Sequence, residues 1–136
     1  MVGVHRIARK GLYLGSEAAE LNSQVYWRKQ SRRRDWRFLE DVGEYTYNID
    51  RMMYQLKRSG KLSKLGGLII GGFTGMKDTE RPFGSTVYEC IRDVVGEYDY
   101  PVCFDFPVSH EKENYALKIG VGYKLKVTKS KVILEE

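Results

Sequence analysis

Cysteine is scarce in this 136-residue sequence. Cys90 and Cys103 are the only two, they are not in CxxC spacing, and each sits in an apolar run. That argues against a disulfide framework or a thiol zinc site and predicts two buried free thiols in a reducing compartment. No run of 18 apolar residues is present, so no membrane span is expected. No apolar segment followed by a small-residue cleavage site opens the sequence, so no secretory signal is expected and a cytoplasmic location fits. Histidine is rarer than in most catalytic metal sites: only His5 and His110 occur, and nothing has metal-ligand spacing, so neither a metal nor a cofactor is expected. Neither GxxxxGK[ST] nor GxGxxG occurs, which argues against a glycine loop that cradles phosphate.

What is present suits one soluble domain: 42% hydrophobic and 30% charged residues over a domain's worth of chain. Ten tyrosines point to packed or contacting surfaces, since a tyrosine buries a large ring and keeps a polar tip. The net charge of +5 is unevenly spread. Residues 1–37 hold nine Lys/Arg against three Asp/Glu, and residues 38–136 hold fourteen against fifteen. A nucleic-acid or acidic-polymer partner therefore has only the basic run Arg28–Arg37 to rest on, and a solvated arm explains such a run equally well. Residues 1–35 show no clean period and are set apart as a basic N-terminal segment, with Leu12-Tyr13-Leu14 as a small apolar island. The folded domain is expected over 36–136.

From Arg37 a periodic texture begins. Arg37-Phe38-Leu39 reads as a short strand ending at Glu40-Asp41, and residues 42–47 read as a loop. Ile49, Met52, Met53 and Leu56 then form the apolar stripe of a helix. Thr46 or Asn48 is suited to cap it, and Gly60 to stop it. Asp50-Arg51 on this helix reads as a structural pair or a loop anchor. The run 66–74 reads as a strand buried on both faces and followed by a Gly-bearing turn, with double glycines that permit close backbone approach or unusual dihedrals. After a polar loop from Met76 to Gly84, Ser85 or Thr86 caps a second helix that buries Val87, Ile91, Val94 and Val95. Tyr100–Phe106 is the next strand, with Pro101 at its start, and residues 107–111 leave its carboxyl end as a loop. Further strands are expected near Tyr115–Ile119, Tyr123–Val127 and Val132–Leu134. This order predicts an α/β fold, with a parallel strand–helix core and an antiparallel β extension.

Ligand sites in such sheets lie off the carboxyl ends of strands. Glu40 and His110 stand at two of those ends, so they can be neighbours despite seventy intervening residues. A carboxylate on one ring nitrogen fixes the tautomer of a histidine that takes and returns a proton through the other. Asp41 and Glu44 offer a paired-carboxylate alternative, for which a solvated loop is the plainer reading.

Phe38-Leu39-Glu40-Asp41-Val42-Gly43-Glu44, then Tyr47-Asn48-Ile49-Asp50-Arg51-Met52-Met53, resembles the start of the C-terminal domain of L,D-carboxypeptidases. That family includes muramoyl-tetrapeptide carboxypeptidases and microcin-immunity peptidases. Leu68–Thr74 is similar to the family's next strand, and Phe106-Pro107-Val108-Ser109-His110 with Asn114 and Leu117 to its His-bearing loop. The resemblance implies that Glu40 and His110 are the glutamate and histidine of a Ser-His-Glu triad. It implies a serine in a separate N-terminal domain, and a murein tetrapeptide substrate whose last bond joins an L-centre to a D-residue. None of the chain's serines sits in a recognisable nucleophile elbow, so this chain alone is expected to be inactive. Glu111 and Lys118 replace a Gly and a Pro common in the family. The alternative from a different class is a non-catalytic peptide-, protein- or nucleic-acid-binding module using the basic arm. A homodimer is also expected if the domain's apolar surface lacks its partner domain.

Overall fold

In a computed structural model, residues 6–9, 25–26, 36–117, 123–128 and 131–135 are described. The elements are β1 (Arg6–Arg9), β2 (Val25–Tyr26), β3 (Trp36–Val42), α1 (Thr46–Arg58), β4 (Gly67–Thr74), α2 (Val87–Val95), β5 (Val102–Phe106), β6 (Lys124–Val127) and β7 (Val132–Glu135). Strands β3, β4 and β5 form a parallel sheet in that order, and α1 and α2 make its crossovers. A second, antiparallel sheet has the order β1-β7-β6-β2. The α/β core with an antiparallel extension is therefore present. Two of the extension's strands come from the basic N-terminal segment, where β1 pairs with β7 and β2 with β6.

Strand β4 is central because its apolar run suits cover on both sides. Leu68, Ile69 and Ile70 are at most 1% exposed. Side chains alternate across a strand, so Leu68 and Ile70 join the helix-side core with Ile49, Met53, Ile91 and Val94. Ile69 points the other way and packs with Cys103, Phe106, Leu125 and Leu134 against the antiparallel sheet. Burying each Leu or Ile contributes roughly 1.5–3 kcal/mol before entropy is counted.

The two helices start differently. Thr86 caps α2 as expected: its Oγ1 accepts from the Glu89 N–H, and the Glu89 carboxylate accepts from the Thr86 N–H at 2.7 Å. At α1 the expected caps, Thr46 and Asn48, are corrected to Tyr45, whose side chain makes no capping bond. The backbone does the work instead, because the Thr46 N–H donates to the Lys77 carbonyl at 3.0 Å. The Asn48 amide donates to Glu44 at 2.9 Å and holds that carboxyl below the usual carboxylate range. Gly60, at φ 71°, ends the turn after α1.

Several boundaries move, and the Gly-bearing turn expected at the end of the 66–74 run is instead strand, because Gly71, Phe73 and Thr74 keep pairing with the neighbouring strands. β3 runs on to Val42 because its backbone keeps pairing with β4 as far as Thr74, and α1 begins within the expected 42–47 loop. Met52 was expected in the buried stripe but is 41% exposed. Residues 115–117 form no strand; the Tyr115 N–H donates to the Pro107 carbonyl instead and ties this segment to the loop after β5. The remainder of that expected strand, the Leu12-Tyr13-Leu14 island and residues 27–35 lie outside the described residues.

Candidate functional site

Glu40 and His110 meet at the carboxyl edge of the parallel sheet. β3 and β5 flank β4 and run in the same direction, so residues near their carboxyl ends share one edge. The His110 Nδ1 lies 3.0 Å from the Glu40 Oε2. The Glu40 side chain is 27% exposed and that of His110 is 57% exposed, so the pair is open on the ring side. Among the described residues, the ring bonds only to Glu40.

Two register shifts lie level with the pair. Between β3 and β4, Leu39 pairs with Ile70 but Asp41 with Phe73, which places one extra residue in β4. Between β4 and β5, Ile69 pairs with Cys103 but Gly71 with Phe106, which places one extra residue in β5. Asp105 takes up that slack in the left-handed region, at φ 53°. Bulges of this kind re-aim side chains at strand ends.

The loop carrying His110 is fastened on both sides of the histidine. The Val108 N–H donates back to the Phe106 carbonyl at 2.7 Å. Ser109 is buried, its N–H donates to the Asn114 side chain at 3.3 Å, and its Oγ accepts from the Glu111 N–H at 3.1 Å. Ser109 and Asn114 are thus supports of the site. Their signal in the sequence is their place in the motif that resembles the family's His-bearing loop, one residue before and four after the histidine.

The arrangement has a defined chemical sense. Glu40, ionised, can only accept, so the neutral ring presents Nδ1–H to it and carries its lone pair on Nε2. Nε2 is then the ring atom able to accept a proton. Among the described residues, no hydroxyl or thiol hydrogen-bonds to the ring. Ser109 is next to His110 but its Oγ is engaged with the Glu111 N–H, while the Ser59 and Ser63 hydroxyls donate to the Leu56 and Gly60 carbonyls. The thiols are unsuited as well: burial pushes Cys103 up to about 12 and raises Cys90, and the reactive form is the thiolate.

The other candidates do not converge. The Glu44 carboxylate is taken up by Asn48 and the Tyr45 N–H, and Asp41 accepts from the Val42 N–H at 2.8 Å. The two carboxylates are therefore anchored separately. Arg51 lies over the Tyr47 ring, 5.3 Å from its centroid, in place of the expected pair with Asp50. Among the described residues, no three His, Cys, Asp or Glu side chains gather to hold a metal ion, and no helix is long and apolar enough to cross a membrane. A cavity of about 380 Å³ runs between β3 and α1, with Leu39, Met52, Leu56 and Phe73 among its apolar walls and Glu40 and Lys61 in its lining. Met52 is exposed because it faces this space.

Comparison with known proteins gives consistent relatives. The family described as LD-carboxypeptidase C-terminal domain matches residues 19–125, a span that begins inside the basic segment. A Synechocystis sp. protein assigned as a carboxypeptidase is 39% identical over 85 residues, covering 60% of this chain and 27% of its own length. The murein tetrapeptide carboxypeptidase of Pseudomonas aeruginosa is 31% identical over 86 residues, covering 60% of this chain and 26% of its own length. The crystal structure of muramoyltetrapeptide carboxypeptidase from Oxalobacter formigenes shares the fold, with a TM-score of 0.73 at 20% identity over 96% of this chain and 49% of that one. The chain thus spans about a quarter of the length of these curated relatives and about half of the solved chain.

Proposed function

This chain belongs to the LD-carboxypeptidase C-terminal domain family, and from that premise we propose that it supplies Glu40 and His110 to the Ser-His-Glu triad of a serine-type L,D-carboxypeptidase. The serine comes from a domain outside these 136 residues. The substrate is a murein tetrapeptide, cut at its terminal L,D bond, in keeping with the name of the Pseudomonas relative.

The single observation that carries this reading is the 3.0 Å contact between two side chains seventy residues apart. In the reaction, His110 Nε2 takes the serine hydroxyl proton as the oxygen attacks the scissile carbonyl. It then gives that proton to the amine of the departing D-residue. Water next attacks the acyl-enzyme, with His110 again as base, and the serine is released. Glu40 holds the ring and stabilises the imidazolium at each stage. Backbone N–H groups of the other domain hold the oxyanion. Two unpaired, buried cysteines fit a reducing compartment for this work.

On this reading the isolated chain releases no D-alanine from a murein tetrapeptide, because triad members act as a unit. Hydrolysis by the chain alone, abolished by His110→Ala, would show that the nucleophile is within it.

A further inference from the structure

The Glu40–His110 contact needs the His110 loop to lie directly on β4, and β4 has no side chains where it does so. A Cβ built on Gly71 would overlap the Val108 carbonyl oxygen, and would lie 2.9 Å from the Phe38 ring and 3.1 Å from the Glu40 Cβ. One built on Gly72 would lie 2.7 Å from the Ser109 Cβ and 2.8 Å from its Oγ. Neither glycine has a positive φ, so close approach rather than backbone conformation is what requires them. Gly71 touches both sides of the pair, Glu40 on β3 and the residue two before His110. Gly72 seats the residue immediately before His110.

We propose that Gly71 and Gly72 are positioning residues for the Glu40–His110 pair, forming a side-chain-free floor on which the histidine loop is set to hydrogen-bonding distance. The inference rests on the reading of Glu40 and His110 as the working pair. Its consequence is geometric. To reach ordinary contact with a methyl at position 72, Ser109 must retreat by roughly 1 Å. A retreat of that size carries His110 out of the 3.0 Å contact, beyond the range in which a hydrogen bond holds. A misplacement of about 1 Å can lower a rate by about 10²-fold.

The two floor positions differ in a way that makes the claim testable. The obstacle at 72 is the Ser109 side chain, which Ser109→Gly removes. The obstacle at 71 is chiefly the Val108 main-chain oxygen, which no side-chain replacement removes. The measurement is the ring-nitrogen NMR signature of His110 in the isotopically labelled full chain, at a pH where the ring is neutral, with Glu40→Ala as the reference for a lost pair. The native chain should show the Nδ1–H tautomer. Gly72→Ala should move the signature to that of Glu40→Ala, while the amide signals of Leu68 and Ile91 on the helix side stay in place. Gly72→Ala with Ser109→Gly should return it to that of Ser109→Gly alone, and Gly71→Ala should lose the native tautomer with or without Ser109→Gly. A native signature in Gly72→Ala would overturn the proposal, as would a double variant no different from Gly72→Ala. The readout uses no hydrolysis, so an inactive enzyme would count against the proposed function and leave this result standing.

Discussion

The helix side and the strand side of the parallel sheet solve different problems with the same three strands. On the helix side, Leu68 and Ile70 meet Ile49, Met53, Ile91 and Val94 in a continuous buried layer. On the strand side, Ile69, Cys103 and Phe106 begin a similar layer against Leu125 and Leu134. Toward the carboxyl edge that layer gives way to Gly71, Gly72, two register shifts and the Glu40–His110 pair. The helix side holds the sheet together, and the strand side gives up packing at one edge to bring a loop down onto it. Stability and site geometry should therefore respond separately to changes on the two sides.

The largest expected effect tests that separation. Ile91 is fully buried on the helix side, so Ile91→Ala should cost about 2–5 kcal/mol in urea unfolding. The His110 tautomer in the folded chain should be unchanged. Combining Ile91→Ala with His110→Ala should give additive costs within about 0.5 kcal/mol, and strong coupling would show that the two sides are not independent.

Next comes a pH effect in which a buried thiol of the strand side takes part. Burial holds the Cys103 thiol at about 12 in the folded chain, above an ordinary thiol near about 8.5. Above that lower value the unfolded chain loses the proton first, so stability falls as pH rises toward 12. Urea midpoints should drop between pH 8 and pH 10, and Cys103→Ala should flatten the slope. An unchanged slope in that variant would assign the alkaline loss to other groups.

A smaller effect separates the helices. Thr86→Ala removes the capping box of α2 and should cost about 1 kcal/mol. The smallest concerns the exposed Lys57–Glu97 contact, which links α1 to the segment after α2. Its hydrogen bond raises the lysine and lowers the glutamate from their ordinary values. Both groups are solvated, so Glu97→Gln should leave the thermal midpoint unmoved, and a clear drop would give this link a weight that exposed pairs rarely have.

Much of this was legible in the residues. The apolar run at 68–70 announces a strand covered on both faces, and Thr86 with Glu89 three residues on spells a capping box. Glu40 and His110 could be brought together from strand-end topology and from the resemblance of their flanking motifs. Other features are set by partners that no local pattern reveals. β1 and β2 are short and lie in a basic segment without period; pairing with β7 and β6 is what makes them strands. The start of α1 is satisfied by Lys77, thirty-one residues after Thr46, so the polar side chains nearby misdirect a search for a cap. The bulge at Asp105 arises from the offset between two strands, which one strand's sequence does not display.

The most direct test joins this chain to the N-terminal part of the Pseudomonas murein tetrapeptide carboxypeptidase, in place of that protein's own matching segment, and measures D-alanine release from a murein tetrapeptide. The account predicts hydrolysis by the fusion, a loss of several orders of magnitude with His110→Ala, and a loss of about 10⁴-fold with Glu40→Gln. A fusion that hydrolyses the tetrapeptide equally well with His110→Ala would contradict it.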